Sequence, residues 1–212
     1  MPEKQNAGSA AWVRWLLLGL IFLAQLLVLA IAPEEKTIGT GIKPVYFHVS
    51  LTWTGMLMLA AAVIFGIGVL LSANQKLTVW QARVLNSGFV LYIFGFLVSM
   101  YASVINWGGV PFNEPPVRQA INFMLAGIVL WGSSWWFNTS RMKALLGVLA
   151  AGMLLLATES SQSILHPESP VNSSPLSIKT TFYIMFGLGL LLAAWTIHYQ
   201  KQINQNKLVE QK

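Results

Sequence analysis

"VYFHVSLTWTGMLMLAAAVIFGIGVLLS", residues 45–72, decides the fold. Its 28 residues contain no Asp, Glu, Lys or Arg. A helix of about 20 residues, rising ~1.5 Å per residue, crosses a ~30 Å hydrocarbon core. The run is long enough to be a transmembrane helix. Lys43 and Pro44 precede it, and His48 stands one or two helical turns inside it. An ionisable side chain at that depth is costly and calls for a reason.

The rest of the chain agrees. It is 55% hydrophobic and 9% charged, against roughly 25% charged for a soluble domain. Mean hydropathy is +0.61. Five further apolar runs give spans at Trp15–Ala32, Val84–Ile105, Ala120–Phe137, about 142–160 and Thr180–Ile197. The fifth is apolar only over Ala144–Ala157 and must borrow Ser140–Lys143 and Thr158–Ser161 to reach span length. The expected fold is therefore an all-α integral membrane protein, a single six-helix transmembrane domain over 1–212. Lys4, Arg14, the first apolar run and "AIA" at 30–32 imitate a secretory signal peptide, but the run is long for one and Pro33 follows directly. A retained span is expected.

With both termini cytoplasmic, nine of the 13 Lys and Arg fall inside and four outside. That asymmetry is the positive-inside pattern. The net charge of +6 is then a topology signal, and no nucleic-acid partner is expected. The absence of cysteine excludes disulfides, thiolate metal sites and thiol redox chemistry. The inner connections, 73–83 and 138–143, read as short basic loops. The outer ones, 33–44, 106–119 and 159–179, are longer and rich in Pro, Gly and Ser. Function tends to sit on such loops, so the outer face is the expected working face.

Two of the three histidines belong to that face: His48, and His166 in "SILHPESP". Neutral imidazoles ligate haem iron and transition metals, and two of them on separate elements can clamp a flat cofactor. The alternative is an interfacial histidine and an ordinary loop histidine. His198, in "WTIHYQK", reads as an interfacial residue at the inner end. Zinc is weakly supported, because no helical spacing links the outer acids to the histidines. Most of the nine tryptophans, including Trp131 and Trp195, fall at inner span ends as an aromatic belt would. Trp107 stands apart. "INWGGVPFNEPPVR", 105–118, puts an indole, Phe112, Glu114 and Arg118 on the outer face. Aromatic rings there can stack on a macrocycle while cations pair with its carboxylates.

Taken together these residues resemble the cytochrome c assembly proteins, in particular the six-span, CcmC-like haem-handling branch. Its members carry a histidine at the head of the second span in a context such as "YLHVP"; here it is "YFHVS", 46–50. A second histidine in the last outer loop is matched by His166. The third feature is an outer W-G-x-x-W-x-W-D segment. Trp107, Gly108 and Glu114 match it, whereas Pro111 and Asn113 occupy the two later tryptophan positions.

The resemblance implies a prokaryotic plasma (inner) membrane protein of cytochrome c maturation. It would receive haem b at the outer face and pass it to a haem chaperone or synthase beside other maturation proteins, with no bond chemistry of its own. It implies His48 and His166 as axial iron ligands. Trp107 and Phe112 would be the remnant of an aromatic platform, and Glu114 and Arg118 loop-positioning or propionate-facing groups. Two other classes compete. One is a non-catalytic scaffold or accessory subunit that has lost haem, which the missing tryptophans favour. The other is a small-solute transporter, which lacks the usual mid-membrane ionisable residues.

Overall fold

A computed structural model describes residues 3–157 and 174–210, with side chains described over 12–115, 117–156 and 174–202. All regular structure among them is helical. In chain order the helices are α1 (Glu3–Ile31), α2 (Ile42–Ser72), α3 (Gln75–Trp107), α4 (Pro115–Ser133), α5 (Ser140–Ala157) and α6 (Leu176–Glu210), with a 3-10 turn at Ser134–Trp136. Among the described residues four stretches are long and apolar enough to cross a membrane: Trp12–Ile31, Ile42–Ser72, Gln75–Trp107 and Leu176–Gln202. Helices α4 and α5, with 19 and 18 residues, are shorter and carry Arg118, Arg141 and Lys143 in or near their first turns. Large apolar side chains such as Ile64, Leu71, Phe94 and Val129 stand exposed on the outside of the bundle. Lipid is the solvent such a surface suits.

Several expected boundaries move, for local reasons. Residues 73–83, expected as an inner loop, are mostly the start of α3. Ala73 closes α2 in the left-handed region (φ 51°) with its N–H on Val69 O, and the Asn74 side chain caps α3 by accepting from Lys76 N at 2.9 Å. One residue pair thus ends one helix and starts the next. Helix α4 begins earlier than expected, at Pro115, because proline fits the first turn where no N–H partner is needed. It also ends earlier, in the 3-10 turn, so the expected 120–137 span is not one helix. The extension of the fifth span beyond 157 lies outside the described residues.

Helix α2 is central, packing against α3, α5 and α6. Its seam with α3 is lined by small residues. A Cβ on Gly55 would meet Tyr92 N at 2.7 Å, and one on Gly88 would meet Leu59 N at 3.0 Å. Such close backbone approach is how helices associate in lipid, where apolar burial gives no net drive. One core joins Leu59, Ala62, Leu85, Phe89, Tyr92, Ala150 and Leu154 of α2, α3 and α5. A second joins Ala32, Ile42, Tyr46, Ile178, Phe182 and Met185, where the end of α1 meets the starts of α2 and α6.

Candidate functional site

The ends of α1 and α3 and the starts of α2, α4 and α6 gather at one end of the bundle. Asn106 of α3 donates to Gly41 O, the residue before α2, at 2.9 Å. Tyr46 Oη donates to Pro33 O at 3.1 Å, and Lys43 Nζ donates to Ala30 O, a carbonyl of the last turn of α1, at 3.1 Å. Between them the 33–41 connection turns at Glu35 and Gly39 (φ 54°). Glu35 Oε2 accepts from Ile38 N at 3.0 Å and Thr37 N at 2.7 Å. These donors, Ile38 first, hold the Glu35 carboxyl below its usual range.

His48 is the seventh residue of α2 and half-buried, roughly 9 Å along the axis from the helix start. Its Nδ1 lies 2.8 Å from Gly95 O of α3 and 3.2 Å from Thr52 Oγ1. A carbonyl only accepts, so Nδ1 carries the proton and the lone pair of the neutral ring is on Nε2. Metal-ligating histidines characteristically hold their second ring nitrogen in this way, which fixes tautomer and ring plane. The arrangement depends on Gly95: a Cβ there would fall 2.9 Å from Thr52 N. Neither Gly95 nor Thr52 is marked in the sequence by anything but its type, since the contact spans 47 positions.

The other expected residues are distributed differently. Trp107 is the last residue of α3, 38% exposed. It lies twelve residues beyond Gly95, about 18 Å along α3, so His48 is the deeper of the two. Gly108 closes α3 in the left-handed region (φ 74°). Phe112 is exposed in the loop that follows. Glu114 is buried at the N-cap of α4, where its carbonyl accepts from Arg118 N at 3.1 Å and its Oε1 has no hydrogen-bond partner among the described residues. A carboxylate there would repel a propionate, so its geometry suits loop positioning. Arg118 is exposed in the first turn of α4. His166 lies outside the described residues, so the pairing of the two histidines stays an expectation. Among the described residues no group of three or more His, Cys, Asp or Glu is placed to hold a metal ion.

The opposite end contains a polar network that the sequence does not announce. Asn86 of α3 donates to Gln200 Oε1 of α6 at 3.1 Å and accepts from Trp131 Nε1 of α4 at 2.9 Å. Gln200 Nε2 donates to Ser87 Oγ at 3.0 Å. Trp131, expected in the aromatic belt, instead stacks on Phe89 (5.2 Å, 11°) and ties α4 to α3. An indole with one polar atom does both when buried.

No protein-family model, curated protein or solved structure matches the chain.

Proposed function

We propose that this chain is a haem-handling membrane protein of the cytochrome c maturation type. In this reading haem is cargo, held at the outer face between His48 and His166 and passed to a chaperone or synthase. The observation that carries the reading is the His48 ring. It sits on a rigid helix near the end of a span, with Nδ1–H committed to the Gly95 carbonyl and the lone pair directed to Nε2. Ligands on supported elements keep their geometry better than ligands on loops. Trp107 and Phe112 offer rings for stacking, and Arg118 a cation for a propionate. Six spans with both termini inside complete the reading, with α4 and α5 as the two shorter crossings. The lysine and arginine asymmetry supports that orientation.

A scaffold or accessory subunit without haem is the second reading. It is favoured by Pro111 and Asn113 at the missing tryptophan positions and by the depth of His48 below Trp107. It makes the His48–Gly95 bond a clamp between α2 and α3.

Visible spectra of the detergent-purified protein, with and without added haem, separate the two. Under the first reading the parent gives a six-coordinate, low-spin b-type spectrum. Each of His48→Ala and His166→Ala changes the coordination, the double variant loses specific haem, and His198→Ala leaves the spectrum unchanged. A parent without haem affinity, or a double variant with the parent's bands, leaves the scaffold reading.

A further inference from the structure

Helix α4 has two faces. Met124, Ile128 and Trp131 pack on the core shared by α2, α3 and α5, and a Cβ on Gly127 would meet Phe89 at 3.3 Å. On the other side Asn122, Leu125 and Val129 are exposed, and no other residue from 121 to 130 is. Gly132 continues that stripe, with open space where its Cβ would stand. Successive spacings of 3, 4 and 3 residues are those of a coiled-coil seam. Leu125 and Val129 need no partner in lipid. Asn122 does.

Its depth is the reason. Trp135 and Trp136, exposed where α4 ends, mark the headgroup level on that side. Asn122 lies 13 residues before Trp135, about 20 Å along the helix, inside a hydrocarbon core of ~30 Å. The other boundary is then about 10 Å away. A long lysine or arginine stem can snorkel towards a boundary, but an asparagine is too short. Among the described residues the Asn122 amide makes no hydrogen bond. An amide facing hydrocarbon is costly, and Asn side chains in lipid pair across helices.

We propose that the Asn122 face of α4 is the contact between two copies of this chain in the membrane. The proposal rests on α4 being one of the crossings. Copies in one bilayer share an orientation, so their α4 helices meet in parallel about a two-fold axis along the membrane normal. Each seam residue then faces its own counterpart at the same depth. A carboxamide is its own complement: Nδ2 of each Asn122 donates to Oδ1 of the other. A partner of different sequence must bring a matching group to that depth, whereas a second copy does so by symmetry. A single polar residue in an apolar seam also fixes its register. Gly132 lets the two backbones close. Arg118, exposed on the same stripe one turn nearer the start of α4, reaches the headgroup level, where water and salt screen it from its counterpart.

The chain contains no cysteine, so single cysteines report the contact directly. A disulfide needs Cα atoms within about 7 Å. Oxidised in native membranes, Leu125→Cys and Val129→Cys should each give a crosslinked dimer. Met124→Cys on the core face, and Phe94→Cys on the exposed face of α3, should not. Energy transfer between donor- and acceptor-labelled chains in vesicles gives the dissociation constant. Asn122→Leu should raise it about 3- to 30-fold, the range for interhelical hydrogen bonds in lipid. Asn122→Gln, which keeps the amide, should stay nearer the parent. Crosslinking at 125 and 129 no greater than for Phe94→Cys overturns the proposal, and so does an unchanged dissociation constant in Asn122→Leu. The crossing is read separately, from Asn113→Cys and Asn138→Cys, which should react with an impermeant thiol reagent from opposite sides. Reaction from one side overturns crossing and dimer together. Reaction from opposite sides without crosslinking overturns the dimer alone.

Discussion

Gly95→Ala tests the contact on which the His48 geometry rests. A Cβ at position 95 would lie 2.5 Å from Thr52 Oγ1, 2.9 Å from Thr52 N and 3.2 Å from Leu51 Cβ, where ordinary contact begins at 3.4 Å. The threonine hydroxyl can rotate away, but the backbone nitrogen cannot. Helices α2 and α3 must therefore separate locally by about 0.5 Å, and overpacking of this kind costs about 1–3 kcal/mol. For a chain of this size each kcal/mol shifts the unfolding midpoint by about 2–4 °C, so a fall of about 2–12 °C is expected. The same movement stretches the 2.8 Å His48–Gly95 bond towards the weak end of the hydrogen-bond range, near 3.3 Å by the same estimate. The assay is thermal unfolding in detergent, followed by far-UV circular dichroism. Gly19→Ala serves as control, because nothing lies within 4 Å of that Cβ; alanine should stabilise that helix position by about 0.5–1 kcal/mol. Adding Thr52→Ala to Gly95→Ala removes the hydroxyl contact but not the nitrogen contact, so partial recovery is expected. An unchanged midpoint for Gly95→Ala, or full recovery in the double variant, refutes the reasoning.

Trp131→Phe keeps the stack on Phe89 but leaves Asn86 Oδ1 without its indole donor; the expected loss is about 1–3 kcal/mol, against about 3–5 for Trp131→Ala, both read from the same unfolding curves. The Glu35 carboxyl titrates lower in the folded protein than in the unfolded chain. Its stabilisation of the turn is therefore present above the unfolded value and lost as pH falls through the folded one. Amide exchange at Thr37 and Ile38, corrected for intrinsic pH dependence, should accelerate in that acidic window, and Glu35→Gln should abolish the effect. In this cysteine-free chain, single cysteines at Gly39 and Asn113 should react with an impermeant thiol reagent in intact cells, and those at Asn74 and Asn138 should not. Labelling at Asn74 would reverse the orientation.

Much of the architecture was legible in the sequence because it is set by local chemistry and by the solvent. Uncharged runs of span length must be helical in lipid, since no water is present to satisfy an open backbone. Among the described residues four helices are long and apolar enough to cross a membrane. The apolar runs alone set the starts of α3 and α4 too late, at 84 and 120, because the Asn74 cap and Pro115 extend both helices into polar sequence. His48 was visible because a histidine inside such a run is rare.

What surrounds His48 was decided by tertiary structure alone. Lipid supplies no hydrophobic drive to sort helix faces, so pairing depends on small residues and side-chain hydrogen bonds far apart in the chain. Gly95 is one of 17 glycines, and only the register of α3 on α2 brings its carbonyl to Nδ1. Asn86, Trp131 and Gln200 look unrelated until α3, α4 and α6 converge on them. Arg14 reads as a topology charge until α6 places Gln202 and His198 beside it. Composition and periodicity fix what each segment is, because those depend on the segment and its solvent. Which atoms meet depends on how the segments pack, and no single stretch of the chain contains that information.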